Sequence, residues 1–577
     1  MDRLVSAGPA VARVSGPLVE VRGLSDVAMS EVVALGAHGI PGEVVALRGP
    51  VATVQAYEYT GGLAVGDPAS ALGRPLSARL GPHLLGGVFD GLLRPLLDAP
   101  TWLTTDASRA GAAPVDVQWA PRVAAGARVS AGEILGILPD GGPLEHRVLV
   151  PPGLGGTVEW VAPAGTRRVD EALASVDGIP VLGIEDWPVR RPRPVRERLE
   201  AAEPLLTGQR VLDALFPVTQ GSTVAVPGGF GTGKTVLLQQ IAKWCTAEVI
   251  VYIGCGERGN EMADVLSELR ELADPTTGRR LAERTVIIAN TSNMPMMARE
   301  ASIYSGITVA EYFRDMGYQV VVIADSTSRW AEALREFGSR SGALPAEEGY
   351  PAVLPSALAA FYERAGRVTT LGDQQGSVTI IGAVSPPGGD LTEPVTAHTE
   401  RFVRAVWGLD RDLAYARHYP AVSWSGSFSR DVDKLGVWHA GHGDPDWAVR
   451  RSRSVSLLAE ADRLGDLAAL VGVNALPGHE RVVLLGGRLL REGVLQQSAL
   501  SAHDAHCSMA KTAALVDLVL AVVDTCEELV AQGVTAAEIE EVDFSVVLRA
   551  AEACPPDQTG PVLERQQVVL DLLRGLR

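Results

Sequence analysis

Gly228-Gly229-Phe230-Gly231-Thr232-Gly233-Lys234-Thr235 is a complete GxxxxGK[ST] stretch. It follows an apolar run, residues 223–226, and leads into a segment, 236–245, with the pattern of a helix. With a strand before it and a helix after it, such a stretch wraps phosphate oxygens in backbone N–H groups and points the positive end of the helix at them. Lys234 is then expected to reach the β- and γ-phosphates, and the Thr235 hydroxyl to hold Mg²⁺. At Phe230 only the backbone is needed for that task. The pattern around the stretch is α/β from residue 199 to about 424. Apolar, β-branched runs at 223–226, 249–253, 285–289, 320–324 and 378–384 alternate with helical stretches. A parallel sheet covered on both faces is the arrangement that buries them.

Ligands of open parallel sheets gather at the carboxyl ends of the strands. The run at 249–253 is followed by Gly254-Cys255-Gly256-Glu257-Arg258-Gly259-Asn260-Glu261, and the run at 320–324 by Asp325-Ser326-Thr327-Ser328-Arg329. An Asp at a strand end is often a helix cap; beside a phosphate loop it is the partner of Mg²⁺ or of its water. Two readings of Glu257 stand at this point. It can align and deprotonate an attacking water, with Arg258 offsetting γ-phosphate charge or pinning Glu257. Or it can form an ion pair with Arg258 or Arg329 that only holds a loop.

The other segments differ in character. Residues 1–70 carry short Val- and Ala-rich runs between Gly and Pro, as in a small β-barrel. Residues 115–186 form a second β-rich unit, an inserted small module. A lipoyl- or biotin-carrier role for it lacks a lysine at a hairpin tip. Trp187-Pro188-Val189-Arg190-Arg191-Pro192-Arg193-Pro194 reads as a basic, Pro-rich linker into the α/β domain, residues 190–430. Residues 431–577 read as a helical domain, with apolar positions at helical spacing in 515–529.

At 577 residues the chain is too long for one core. Its 51 basic and 69 acidic residues give a net charge of −18, which argues against a role on nucleic acid. Five scattered cysteines without CxxC spacing suggest neither a disulfide framework nor a zinc site. Met1-Asp2-Arg3-Leu4 lacks a signal-peptide pattern, and no run approaches the ~18 apolar residues of a membrane span. The expected location is the cytoplasm.

Several stretches together resemble the catalytic A-type chain of V/A-type rotary ATPases. They are 251–261, Leu206-Thr207-Gly208-Gln209-Arg210, Asn290-Thr291-Ser292-Asn293-Met294-Pro295, Ala324-Asp325-Ser326-Thr327-Ser328-Arg329-Trp330 and Ser385-Pro386-Pro387-Gly388-Gly389-Asp390. The likeness runs from Val14-Ser15-Gly16-Pro17 to about Gln497, and the inserted 115–186 module is itself a mark of that family. The resemblance implies a RecA-like nucleotide-binding domain and an ATP/ADP substrate. It implies that Glu257 polarises the attacking water with Arg258 its charged neighbour, and that Asp325 meets Mg²⁺ through water, with Arg329 organising the phosphate side. It also implies a ring of three A-type and three B-type subunits, in which the B-type subunit lends an arginine finger. The helical domain would push on central-stalk subunits, coupling ATP chemistry to a membrane ion-translocating sector on the cytoplasmic face. The Phe230 ring is expected to pack under the loop or at the subunit seam.

This chain departs from the family at three points. Thr232 stands where eukaryotic members carry cysteine, Ser423 where Asp or Asn is usual, and Leu500 where an aromatic is usual. Two competing readings are a regulatory nucleotide-binding subunit of the same ring and a related hexameric motor, an RNA translocase or an export ATPase. The first would lack the working set Lys234, Thr235, Glu257 and Asp325; the second would lack the 115–186 module.

Overall fold

The computed structural model describes residues 8–576 apart from 25, 98, 100–115, 141, 143, 201–202 and 274–277. The N-terminal tetrapeptide and Val115 lie outside the described residues. The chain divides into two compact units. One comprises Met1–Glu200, Ala247–Val384 and Thr392–Phe402; the other comprises Ala201–Thr246, Ser385–Leu391 and Val403–Arg577.

The first unit opens with a six-stranded antiparallel barrel. Its edges close where Ala10 bridges Pro68 and Ala69 N donates to Pro9 O. Two of its strands, Glu31–Leu35 and Ala69–Pro75, fall outside the runs expected from sequence. Alternation puts Val19, Val21, Val33, Leu35 and Val54 into one apolar core. The inserted module is two four-stranded sheets closed over a second core. At its centre the buried Trp119 indole donates to Ala162 O at 3.0 Å.

The α/β part of this unit is a sheet in the order Gln375–Val384, Gln319–Asp325, Val249–Cys255, Thr285–Asn290 and Val88–Phe89, every neighbouring pair parallel. Strand Val249–Cys255 is buried at every position, which is why it reads as a continuous apolar run rather than an alternation. The sheet is not purely parallel, since Gly366–Thr369 adds an antiparallel strand along Gln375–Val384. Val88–Phe89, from outside residues 190–430, supplies the far edge.

The linker reading of residues 187–194 is overturned. Glu185–Pro188 is a strand paired with Ser77–Leu80. Arg190 binds Glu43 at 3.1 Å and Glu300 at 2.8 Å, and Arg193 binds Asp315 at 2.6 Å and Glu185 at 3.0 Å. Prolines prevent regular structure here, but they do not prevent burial. The arginines answer buried carboxylates, joining the Tyr57 hydroxyl on Glu43 and Arg314 on Asp315.

In the second unit, strand Thr223–Pro227 runs parallel to Ala405–Val406, which pairs antiparallel with Phe428–Ser429. Beyond it the chain is helical: Val432–Gly441, Trp447–Val471, Gly478–Leu490, Met509–Ala531 and Gly560–Arg574. Among the described residues no helix is long and apolar enough to cross a membrane.

Candidate active site

The phosphate loop belongs to the second unit. Strand Thr223–Pro227 is fully buried, and helix Lys234–Trp244 begins directly after the loop. Gly231 and Gly233 have φ of 80° and 82°, a left-handed backbone that glycine adopts without penalty. The Thr232 hydroxyl, buried, donates to Gly229 O at 2.9 Å and braces the loop from within. Lys234 Nζ donates to Gly228 O at 2.7 Å, so the ammonium spans the loop. Thr235 follows in the first helical turn, partly exposed. The Phe230 ring does not pack beneath the loop: it is 90% exposed.

Sequence reading missed Tyr419. A Cβ placed on Gly233 would lie 3.2 Å from the Tyr419 ring, which is 42% exposed. A half-open aromatic face beside a phosphate loop can stack on a nucleotide base. The departures are accommodated locally. Ser423 Oγ accepts from Gly426 N at 3.0 Å, a task a carboxamide or carboxylate also performs, and Leu500 is 99% exposed.

Glu257, Arg258, Asp325 and Arg329 belong to the first unit. Strands Val249–Cys255 and Gln319–Asp325 are adjacent and parallel, with Gly254 opposite Asp325, so both acidic residues emerge at the same end of neighbouring strands. Asp325 is buried and accepts from the Tyr252 hydroxyl at 3.3 Å. Burial first, and then the Asp325 charge, raise the Tyr252 phenol, so it remains a donor. Gly256 turns the chain at φ 75°, and a Cβ there would come within 2.7 Å of Arg329 Cβ. Only glycine permits that approach. Its N–H donates to Asn290 O at 2.7 Å, and Ser292 N donates to Glu257 O at 2.9 Å, fixing the Glu257 backbone from the neighbouring strand end.

The Glu257 carboxyl is pushed up to about 7, by burial first and then by the charge of Asp325, against the opposing pull of Arg329. Its side chain hydrogen-bonds with Glu261, four residues on. Neither arginine pins it. Arg258 is turned outward, 68% exposed, and faces Glu261 at 3.7 Å; Arg329 binds Glu332 at 2.9 Å. Glu261 was missed as a partner: Glu257 stands before the cap of helix Gly259–Glu271 and Glu261 in its first turn, so no helical periodicity pointed to the contact. A carboxyl poised near neutrality is matched to moving a proton at physiological pH. Glu261→Gln removes one of the influences that raise it. The acid limb of kcat/KM should then move to lower pH, read from a pH–rate profile; an unmoved limb would mean that another group sets it.

The donor set suits Mg²⁺ carried by phosphates. Among the described residues no cluster of three or more His, Cys, Asp or Glu side chains could cage a metal. The Thr235 hydroxyl in the second unit and the Asp325 carboxylate in the first are each hard oxygen donors of the kind that supplement phosphate and water around Mg²⁺.

Comparison with known proteins places the chain first in a class. The family model described as "ATP synthase alpha/beta family, nucleotide-binding domain" matches residues 208–429. Companion models match the beta-barrel domain at 11–73, the barrel-sandwich domain at 115–190, and the C-terminal domain of V and A type ATP synthase at 436–539. The V-type ATP synthase alpha chain of Nitrosococcus oceani is 48% identical over 566 residues, covering 96% of this chain and 95% of the relative. The corresponding chain of the A-type ATP synthase of Thermofilum pendens is 47% identical over 540 residues, covering 92% and 90%. This chain belongs to the family of V-type ATP synthase alpha chains and their A-type ATP synthase counterparts. The solved ATPase EscN of the enteropathogenic E. coli type III secretion system matches with a TM-score of 0.65 over 89% of this chain and all of that one, at 22% identity, a likeness of fold alone.

Proposed function

We propose that this chain catalyses Mg²⁺-dependent ATP hydrolysis and its reversal as the catalytic subunit of a V/A-type rotary ATPase, coupled through a central stalk to proton or sodium transport. The observation that carries the reading is Glu257, held near neutrality at a strand end beside Asp325, in a chain that also has the complete loop 228–235. Gly228, Gly229, Phe230, Gly231, Thr232 and Gly233 offer backbone to the phosphates, and Lys234 offers charge. Thr235, and Asp325 through water, would hold Mg²⁺, which when bound offsets phosphate charge. Glu257 takes a proton from water as the water oxygen bonds to the γ-phosphorus. The bond from that phosphorus to the β–γ bridging oxygen breaks, and ADP leaves with the electron pair. In this reading Arg258 and Arg329, which in this structure turn to Glu261 and Glu332, would offset charge developing on the phosphate, and Tyr419 would stack on the base.

The same reading places the chain in a ring with B-type subunits, peripheral on the cytoplasmic face of a membrane. The outward Phe230 ring is suited to a subunit seam rather than to ATP. A partner's arginine finger contributes ~10³ or more in rate. Phosphate release from Mg-ATP should therefore be low for the chain alone and rise about 10³-fold when the B-type subunit is added. Equal turnover without the partner, or none in any assembly, would overturn the shared-site reading. The regulatory alternative is disfavoured by the intact set Lys234, Thr235, Glu257 and Asp325.

A further inference from the structure

Thr207-Gly208-Gln209-Arg210 has no part in the chemistry above, yet it is among the most thoroughly bonded stretches of the second unit. Arg210 is completely buried at the start of helix Arg210–Leu215. Its guanidinium donates to Val494 O at 2.5 Å, to Gln496 O at 2.6 Å and to Asp504 Oδ1 at 2.5 Å. Its backbone N–H donates to Gln497 Oε1 at 2.9 Å. Asp504 in turn accepts from Ser498 N at 2.6 Å, and Gln209 Nε2 donates to Ala505 O at 3.3 Å. Gly208, at φ 72°, lies between Trp244 and His506, whose rings stack at 3.8 Å; a Cβ on it would come 3.0 Å from Trp244 Cβ. Residues 494–506 are thus tied both to this stretch and to the far end of the helix that begins at Lys234.

Packing alone does not explain a buried guanidinium. Its desolvation is costly, and an apolar side chain would fill the volume without that penalty. Here one partner is a carboxylate and two are main-chain carbonyls, so the charge is used to fix the course of a backbone segment. What that segment touches is the base side of the nucleotide loop. Gln497 N donates to Tyr419 O at 2.8 Å, and Gln496 Nε2 donates to Arg417 O at 3.4 Å. The Tyr419 ring lies against Gly233. Val494 also lies in the last turn of the helical run Gly478–Leu490 and Arg491–Leu495 of the C-terminal helices.

We propose that Arg210 is a positioning residue for the nucleotide base: it locks residues 494–498 to the end of that helical run and, through Gln497, sets Tyr419 where it stacks on the base. This rests on the reading that loop 228–235 takes ATP phosphates. A base and the C-terminal helices would then be linked through one guanidinium, each biasing the position of the other.

The test compares Mg-ATP with Mg-tripolyphosphate, which has phosphates and no base, as ligands of the assembled complex. Arg210→Lys keeps the charge but loses the planar fork. It should weaken Mg-ATP about tenfold, the scale of one base–aromatic stack, with KM rising in step and kcat changing less. Tripolyphosphate affinity should hold. An unaltered ATP affinity, or an equal loss for both ligands, would overturn the proposal, the latter making Arg210 a general support of the fold. If Arg210→Lys does not assemble, Asp504→Asn, equal in volume, should show the same selective loss at smaller size; a non-selective loss there overturns the proposal equally. Lys234→Ala run alongside separates the two readings, because retention of both ligands by that variant would sink the phosphate-loop assignment itself.

Discussion

Lys234→Ala should lower the affinity of the assembled enzyme for Mg-ATP by at least about a hundredfold, the scale of ~3 kcal/mol for a lost hydrogen bond to a charged group. The reason lies in how the loop is built. Gly231 and Gly233 adopt left-handed backbone, which lets successive N–H groups curl toward one point, and Thr232 braces the curve from beneath. Lys234 supplies the one full positive charge of that loop, and its Nζ already crosses to Gly228 O. Alanine leaves the backbone cradle and the helix end intact while deleting the charge. The loss should therefore fall on the phosphates and spare the fold. Titration of the variant with Mg-ATP and with Mg-tripolyphosphate should show both weakened, with an unchanged thermal midpoint. Full affinity for both ligands would remove this loop from nucleotide binding.

The loop is the part of the site most legible in the sequence, because phosphate binding there is a property of backbone and contiguous spacing. The five apolar runs were legible for a similar reason. Strands such as Val249–Cys255 and Gln319–Asp325 are buried on both faces, so burial writes itself into an unbroken apolar string. Glu257 shows where that kind of reading stops. Sequence proximity to Arg258 and a strand-end neighbour in Arg329 made an ion pair as natural as a free base. The outcome depends on side-chain direction across two elements: Arg258 turns to Glu261 and Arg329 to Glu332, which leaves Glu257 beside another acid. The linker reading of residues 187–194 failed for the same cause on a longer scale. Glu43, Glu300 and Asp315 lie more than a hundred residues from the arginines they meet, and local composition contains no trace of them. Val88–Phe89 is two residues long and carries no periodicity to detect.

Glu257→Gln should lower kcat by about 10³-fold, within the range general-base catalysis supplies, while Mg-ATP remains bound. Glutamine keeps the shape and the hydrogen-bonding reach of the side chain and loses the capacity to take a proton. The same substitution makes a second forecast of opposite sign, which separates chemistry from structure. The fold raises the Glu257 carboxyl to about 7, above its ordinary value, so the folded state favours the protonated form. Its stabilising contribution is complete below the unfolded carboxyl's range and is lost as pH rises through about 7. At pH 8 the wild type therefore carries an unfavourable charge beside Asp325, and a neutral amide removes it. The thermal midpoint of Glu257→Gln at pH 8 should equal or exceed that of the wild type, and the difference should vanish toward pH 5. A catalytic collapse with stability preserved or raised is the signature of a base held against its own charge. If the variant instead turns over at near the normal rate, Glu257 is structural. If kcat and the thermal midpoint fall together, the carboxylate braces the strand end, and the proton acceptor is another group.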